Sequence, residues 1–413
     1  MNTNTINIGL AGFGTVGKAF FELLQSQPRY RPVSVLIKDT RKHRCLLPSL
    51  LTDDVNDFFS AKPQVVVEAL SDTPTALKLA VRCLRAGKTF ITANKDLVAR
   101  HGRGLRALEQ EHGGTLLYEA ACGAAVPIVR TIDTFFNYEP RPVFQGILNS
   151  TTNFILDKQQ RVGLSFEDAL SLAQQSGLAE ANPARDLSGV DAACKLCILL
   201  KHLYGTEAKP EQLVYCGIDN WGLPRWLLNK VRLLGTILPK NSAEVVAYVL
   251  PTLVQDQSQW LDVPNEQNAF EIAGAAGERH FLKGNGAGGK ATATALLNDL
   301  NAAASGYRYG HSGGELNWEL SSSCELDGIL VYDDWEKVPD DFFLQIESRY
   351  SGRYLHFIEG RFNLNSLKNA DWWKQPGVFL AAKEPLCIMN DEQSETLTGE
   401  AVQELTPELI NAF

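Results

Sequence analysis

Short apolar runs alternate with segments of helical periodicity in the first hundred residues of this chain. The runs that this pattern assigns to strands are residues 5–11, 33–39, 64–70 and 88–93. Between the last two, apolar residues of segment 75–87 recur at the three- and four-residue spacing of an amphipathic helix. Strands that alternate with helices predict an α/β fold with a parallel, doubly wound sheet, whose ligands gather at the carboxyl ends of its strands.

The first apolar run leads into a glycine-rich turn, GFGTVG, and then into a helical pattern. Gly12, Gly14 and Gly17 match the GxGxxG fingerprint, in which they allow a tight turn, close approach to a pyrophosphate and helix–strand packing. Thr15 and Val16 complete this turn, where the phosphates would lie at a helix N-terminus. The pattern predicts a dinucleotide site, and a purely structural glycine turn is the alternative.

The end of the second predicted strand bears on the choice between NAD and NADP. Asp39 lies close to the position where an acid holds the ribose hydroxyls of NAD. Four basic residues crowd the same turn: Lys38, Arg41, Lys42 and Arg44. They would suit the extra phosphate of NADP, so the sequence favours NADP, with NAD or a merely solvated basic loop as alternatives.

Composition and charge narrow the class of protein. The 413 residues, 45% of them hydrophobic, suffice for about three domains with sizeable cores. A net charge of −9 argues against nucleic acid as the main partner. The N-terminus lacks a secretion signal and no apolar stretch is long enough to span a bilayer, so we expect a cytoplasmic protein without membrane contact. The eight cysteines show no framework spacing, and the CxxC of Cys194 and Cys197 lies inside a predicted helix, which favours core packing over metal or redox use.

Four charged residues lie close together before and within a predicted helix: Glu180, Asp186, Asp191 and Lys195. Asp191 and Lys195 are four residues apart, so on a helix they share one face. The acids could hold a cationic group while the lysine donates a proton or polarises an oxygen. An exposed, salt-bridged helix start is the alternative.

Two other polar segments follow predicted strand ends. Asn94 and Lys95 come directly after strand 88–93, where cofactor and substrate would meet, although a surface lysine that opens a helix is the alternative. The segment 149–153, NSTTN, is dense in hydrogen-bonding side chains. It could be a turn or helix cap, or it could line a polar pocket.

Taken in order, several motifs resemble those of the homoserine dehydrogenase family. They are GxGxxG, TANK, YEAACGAAVP, GILNSTTNFIL, GLAEANPARDLSGVDAACK and GNGAGGKATATA, and they span roughly residues 5–305. The resemblance implies reversible reduction of L-aspartate 4-semialdehyde to L-homoserine by NAD(P)H, in threonine and methionine biosynthesis. Another NAD(P)-dependent amino-acid semialdehyde reductase is one rival, against which the acidic motif of residues 176–195 argues. A noncatalytic NADP-binding regulatory protein is the other, against which the retention of both lysines argues.

The resemblance also implies roles for individual residues. Lys195 would be the catalytic lysine with Asp191 as its partner, and Lys95 a second lysine at the aldehyde oxygen. Glu180 would bind the substrate amino group, and Asp186 falls on an acid of the same substrate motif. These roles fit a substrate that carries an ammonium and develops alkoxide charge as hydride arrives.

Further expectations come from the family alone. Members bind a monovalent cation, chiefly through main-chain carbonyls, and the matching positions here are Glu119, Cys122, Ala124 and Val126. The resemblance also implies a homodimer or a higher homo-oligomer.

Three residues depart from the family pattern. Ser150 replaces a glycine, Leu178 replaces a tyrosine and Asn182 replaces an aspartate. Leu178 removes an aromatic hydroxyl from the substrate loop, which bears on how the substrate binds.

Three domains are predicted along the chain. Residues 1–130 plus about 284–320 would form the Rossmann dinucleotide-binding domain, and residues 131–283 a mixed α/β substrate and dimerisation domain. Residues 321–413 would form a small α+β domain, because segments 342–348 and 354–364 alternate like half-exposed strands. The family resemblance implies a ligand-sensing ACT domain, because many homoserine dehydrogenases end in one of about this size; a packing or interface domain is the alternative.

Overall fold

The computed structural model describes residues 5–42, 48–136, 139–218, 225–274, 277–310, 317–353 and 355–385. Its strands are β1 (Ile6–Ala11), β2 (Tyr30–Leu36), β3 (Leu51–Thr52), β4 (Val65–Glu68), β5 (Thr89–Thr92), β6 (Thr115–Leu117), β7 (Val143–Ile147), β8 (Val214–Tyr215), β9 (Val231–Pro239), β10 (Glu244–Leu253), β11 (Gln267–Ala273), β12 (Arg279–Asn285), β13 (Glu319–Leu320), β14 (Glu325–Tyr332), β15 (Phe343–Ser351), β16 (His356–Asn363) and β17 (Val378–Lys383). Its helices are α1 (Thr15–Gln25), α2 (Val55–Ser60), α3 (Thr73–Arg85), α4 (Lys95–His112), α5 (Ile128–Phe135), α6 (Ser150–Arg161), α7 (Phe166–Gln175), α8 (Ala184–Leu187), α9 (Val190–Tyr204), α10 (Arg225–Leu228) and α11 (Gly289–Ala304).

The first sheet is parallel throughout and confirms the predicted doubly wound architecture. Its strand order is β3-β2-β1-β4-β5-β6, so the order reverses between β1 and β4. Such a switch point opens a crevice at the carboxyl ends of its strands. The second strand lies three residues earlier than predicted, because Tyr30 is buried in the core whereas Lys38 is exposed in the following loop.

The second sheet is mixed and has eleven strands in the described residues. Its main path is β12-β11-β7-β9-β10-β17-β14-β16-β15, with β8 and β13 also paired to β10. Helix α9 packs against β9 and β10 on one side and against α4 on the other. Thirteen of its fifteen residues are buried, including Asp191 and Lys195, so α9 lies in the interior and links α4 to the second sheet.

Helix α11 returns the chain from the second sheet to the nucleotide side. It lies against α1, where the Tyr30 hydroxyl donates to Asn301 at 2.6 Å and the Arg29 guanidinium donates to the Ala304 carbonyl at 3.0 Å. At the other end of the helix, a Cβ atom on Gly289 would lie 2.7 Å from the Thr15 side chain. Glycine there lets the start of α11 approach the dinucleotide turn.

The C-terminal strands form an antiparallel unit with the order β17-β14-β16-β15. Along the chain, this unit reads strand, turn, strand, strand, turn, strand, which is the order of a split βαβ motif. Between those strands the described residues form 3-10 turns, Trp335–Lys337, Leu364–Leu367 and Trp372–Lys374, where the motif would carry helices. Strand β17 pairs in parallel with the end of β10, so this unit continues the second sheet.

None of the helices in the described residues has the length and apolar character needed to cross a membrane.

Candidate active site

The three glycines of the dinucleotide fingerprint occupy three different environments. Gly12 has φ 98°, and a Cβ atom there would lie 2.5 Å from the Ala69 carbonyl oxygen. A Cβ atom on Gly17 would collide with the Gly12 carbonyl, whereas one on Gly14 would meet nothing within 4 Å. The first and third glycines therefore permit the turn and its packing, and the second leaves backbone open to a phosphate, as the fingerprint requires.

Two lysines share one buried carboxylate at the junction of the two halves. Lys95 Nζ lies 2.6 Å from Asp191 Oδ1, and Lys195 Nζ lies 2.9 Å from Asp191 Oδ2. Lys195 also donates to the Leu148 carbonyl at 2.6 Å. Lys95 is the first residue of α4, and the other two stand one turn apart on α9, so the packing of α4 on α9 brings the three side chains together.

The polar segment after β7 is both a helix cap and part of this site. Asn149 Oδ1 accepts the Thr152 N–H at 2.8 Å and caps α6. The same side chain donates through Nδ2 to Asp186 Oδ1 at 2.8 Å and to Asp191 Oδ2 at 2.9 Å. Thr151 donates to Asp186 Oδ2 at 3.3 Å, so both interpretations of this segment hold at once.

Burial and charge act in opposite directions on the site residues. Burial disfavours the charge on Asp191, but the ammonium groups of Lys195 and Lys95 outweigh it and hold the pKa of this carboxyl far below its usual range. The Asp191 carboxylate in turn raises the pKa of Lys95. Burial and then the Asp191 charge raise the pKa of Asp186, against the hydrogen bond from Asn149. A cation placed beside Asp186 would therefore be favoured.

Glu180 does not join this cluster in the structure. Its side chain is exposed, without a hydrogen-bond partner among the described residues, and its carbonyl accepts from Gln174 at 3.2 Å. The loop is held to the site through Leu178, whose carbonyl accepts from Thr151 at 3.3 Å. Leu178 thus contributes main chain here, while the side chain packs with Phe154 and its neighbours.

The cofactor-specificity residues lie in the loop after β2. Arg41 Nε lies 3.0 Å from Asp39 Oδ1, and its Nη2 donates to Asp39 Oδ2 at 3.2 Å. The guanidinium side chain is 86% exposed, and Lys38 is also exposed. Arg44 and the side chain of Lys42 fall outside the described residues.

The Glu119 side chain is buried and accepts hydrogen bonds from the protein backbone. Its carboxylate accepts the Val129 N–H at 2.9 Å and the Arg130 N–H at 2.7 Å at the start of α5. Burial and the neighbouring Asp299 raise the pKa of Glu119 to about 8 despite these bonds. The Glu119 side chain thus caps the start of α5, and any ligation from this residue would come from its main chain.

Main-chain carbonyls of this turn already take part in local hydrogen bonds. Glu119 O accepts from Cys122 N at 3.2 Å, and Val126 O accepts from Ile128 N at 2.9 Å. Ala124 has φ 48°, a left-handed conformation that is strained for alanine. No cluster of three or more His, Cys, Asp or Glu side chains in the described chain could hold a metal ion.

Two contributors to the site escaped the sequence reasoning. The Leu148 carbonyl is a main-chain group, which no side-chain motif announces. Arg185 binds Asp96 through two bonds of 2.6 and 2.8 Å and so ties α8 to α4 beside the lysines. A basic residue within the acidic motif was the only signal for the second contact.

The chain is similar to known proteins over most of its length. A family model described as homoserine dehydrogenase matches residues 127–300, and one for the homoserine dehydrogenase NAD binding domain matches residues 12–119. The homoserine dehydrogenase of Bacillus subtilis is 33% identical over 325 residues, which cover 75% of each chain.

Solved structures show the same fold. A homoserine dehydrogenase from Thiobacillus denitrificans superposes with a TM-score of 0.78 at 24% identity, over 92% of this chain and 99% of that one. A hyperthermophilic archaeal homoserine dehydrogenase in complex with NADPH superposes with a TM-score of 0.63 at 24% identity, over 74% of this chain and 99% of that one.

Proposed function

This chain belongs to the homoserine dehydrogenase family and is an NAD(P)-dependent oxidoreductase, and from that premise we propose how its residues perform the reaction. That reaction is the reversible reduction of L-aspartate 4-semialdehyde to L-homoserine, in amino-acid biosynthesis. The comparisons do not favour the two rivals, a different semialdehyde reductase and a noncatalytic NADP-binding protein.

The shared carboxylate of Asp191 is the observation that carries the proposal. The Lys195 ammonium has three N–H donors, of which two bind Leu148 O and Asp191 Oδ2. The third is left for the substrate carbonyl oxygen, where negative charge develops during reduction. In the oxidative direction, the same lysine holds the homoserine hydroxyl as its proton leaves.

Lys95 supports the same oxygen from the nucleotide side. Its bond to Asp191 uses one donor, and two N–H groups remain in a side chain that is 34% exposed. The Asp191 carboxylate lies between the two ammonium groups, where its charge offsets their mutual repulsion and raises the pKa of Lys95.

The substrate ammonium would bind on the acidic side of the site. Asp186 is held by Asn149 and Thr151, and its raised pKa marks a place where an added cation is stabilising. Glu180, which is exposed and lies outside the cluster in this structure, would complete this subsite on substrate binding.

The dinucleotide would lie along the glycine turn, with its nicotinamide near Asn94 and Lys95. Gly12, Gly14 and Gly17, together with Thr15 and Val16, would hold the pyrophosphate. When bound, the nicotinamide supplies or accepts the hydride, and the protein provides orientation and charge.

NADP is the cofactor that we propose this chain prefers. Lys38 and Arg41 are exposed after β2, where they could reach a 2′-phosphate. The Asp39 carboxylate already fixes the Arg41 guanidinium in place, so it is less available to a ribose hydroxyl of NAD.

Four further predictions accompany this proposal. We keep the monovalent cation at Glu119, Cys122, Ala124 and Val126, to be tested by activity in potassium against a bulky organic cation. We also keep a cytoplasmic location, supported by the free thiols of the described cysteines, and a homodimer or higher homo-oligomer, which light scattering would test. The three-domain division is kept as well, and a flat threonine titration of activity would count against a regulatory role for residues 321–413.

The decisive experiment is initial-rate oxidation of L-homoserine with NADP⁺ and then NAD⁺, followed at the absorbance of the reduced nicotinamide. We expect turnover with both and a lower KM for NADP⁺. No turnover from a folded protein that still binds NADPH would refute the proposed roles of the two lysines on this substrate.

A further inference from the structure

A buried acid outside the lysine cluster stands at the switch point of the first sheet. Glu68 is the last residue of β4, where its Cα pairs with Ala11 of β1 and Thr92 of β5. Its side chain is fully buried and forms no ion pair within the described residues. Burying a carboxylate without a neighbouring cation costs free energy, so the hydrogen bonds to Glu68 must offset that cost.

Those partners close a ring of four hydrogen bonds between the loops that follow β4 and β5. Leu70 N–H donates to Glu68 Oε1 at 2.5 Å, and the Thr92 hydroxyl donates to Glu68 Oε2 at 2.5 Å. Asn94 N–H donates to Thr92 Oγ1 at 2.9 Å, and Asn94 Nδ2 donates to the Leu70 carbonyl at 3.4 Å. Glu68 is therefore the acceptor on which both loops converge.

Each arm of this ring ends at a functional element. On one side, Ala69 and Leu70 lie directly under Gly12, since a Cβ atom there would be 2.5 Å from Ala69 O. On the other side, Asn94 caps α4 by accepting the Leu97 N–H at 3.0 Å, and Lys95 is the first residue of that helix.

The geometry of the ring calls for an acceptor on each of the two Glu68 oxygens. Glu68 accepts from an N–H and an O–H at the same time, one on each oxygen. A glutamine offers one acceptor and one donor, so its NH₂ would face the Thr92 oxygen that already accepts from Asn94. The Thr92 hydroxyl would then lose its acceptor on residue 68. As a result, the Asn94 turn would lose its fixed orientation.

We propose that Glu68 is a positioning residue that locks the floor of the dinucleotide turn to the Asn94–Lys95 turn through Thr92. This inference rests on the role of Lys95 in the proposed function. In this proposal, the buried Glu68 side chain aligns the cofactor with Lys95. A displacement of about 1 Å between reacting groups lowers rates by about 100-fold.

The test is a double-mutant cycle with Glu68→Gln and Thr92→Val. Each single variant should lower kcat for homoserine oxidation by about 10-fold or more, and the double variant should lose little beyond the worse single one, because both break one ring. Thr92→Ser keeps the hydroxyl and should stay within about twofold of the wild-type kcat. NADPH affinity, measured by fluorescence titration without turnover, should weaken in Glu68→Gln, because Leu70 and the turn above it lose their anchor.

A matched control separates positioning from the general effect of altering a buried acid. Glu109 of α4 is also buried, and its Oε1 accepts the Leu116 N–H at 2.9 Å. Glu109→Gln should leave kcat and NADPH affinity within about twofold of wild type, whatever it does to the melting temperature.

The outcomes distinguish this inference from the proposed function. Multiplicative losses in the cycle, or a Glu68→Gln enzyme with wild-type kcat and NADPH affinity, would overturn the inference while leaving the lysines in place. If Lys95→Met kept full activity, that result would refute the role of Lys95 in the proposed function, on which the Glu68 inference rests. Should Glu68→Gln not fold, the Thr92→Val and Thr92→Ser pair still decides, because equal kcat in both variants contradicts the ring.

Discussion

Replacing Lys195 by methionine tests the core of the proposed mechanism. Methionine keeps an unbranched, buried chain but removes the ammonium that lies 2.6 Å from Leu148 O and 2.9 Å from Asp191 Oδ2. A donor aimed at developing oxyanion charge contributes about 2.7–4 kcal/mol. We therefore expect kcat for homoserine oxidation to fall by at least about 100-fold, with NADPH affinity nearly unchanged.

Lys201→Met is the control on the same helix. Lys201 is also ion-paired, with Glu207 at 2.9 Å, and donates to the Gly205 carbonyl at 3.0 Å, but it stands near the far end of α9. Its replacement should change kcat by less than about twofold, since a partly exposed pair contributes little. A loss below about tenfold for Lys195→Met, or an equal loss for both variants, would refute the assignment of Lys195 to the reacting oxygen.

Three other predictions follow from the structure. Alanine at both Lys38 and Arg41 should raise the KM for NADPH more than that for NADH, and equal changes would remove these residues from the 2′-phosphate. Ser150→Gly should lower the free energy of unfolding in urea by about 1 kcal/mol, because the bond of 2.9 Å to Asn268 Oδ1 is lost; an unchanged midpoint would argue against it. Glu119→Gln should flatten the pH dependence of stability: burial raises the pKa of Glu119 from 4.5 to about 8, so its stabilisation is complete below pH 4.5 and is lost as pH rises through 8. Urea titrations between pH 5 and 8 should show a slope difference of at most about 1.4 kcal/mol per pH unit, and parallel curves would contradict the assignment.

Features that depend on local sequence were predictable. The dinucleotide turn is one, since each glycine has a role fixed by its own backbone and its nearest neighbours. The pairing of Asp191 with Lys195 is another, because a four-residue spacing on a helix is enough to bring two side chains together. Helix α9, which carries both residues, begins directly after Gly189, whose φ is 84°.

Features that depend on packing between distant segments were not predictable from residues alone. Lys95 had an open alternative as a surface lysine, and only the contact of α4 with α9 shows that it meets Asp191. Asn149 likewise fitted both a cap and a pocket, and the structure shows that one side chain does both. The boundaries of β2 were wrong by three residues, because the burial of Tyr30 against α11 is a tertiary effect.

The charge balance of the lysine cluster depends on the packing of α4 against α9. Asp191 lies on α9, which packs against the second sheet, and Lys95 begins α4 beside the first sheet; the carboxylate that Asp191 presents to Lys95 is 3% exposed. If α4 separated from α9, Asp191 would keep only Lys195 and would lose one of the two cations that hold its pKa low. The exposed bridge between Arg100 and Glu211 spans the same junction but, with side chains 35% and 56% exposed, contributes little to holding it. The lysine–aspartate contact therefore makes the charge state of the site depend on the junction, so a mutation that loosens the junction should lower activity before it unfolds the protein.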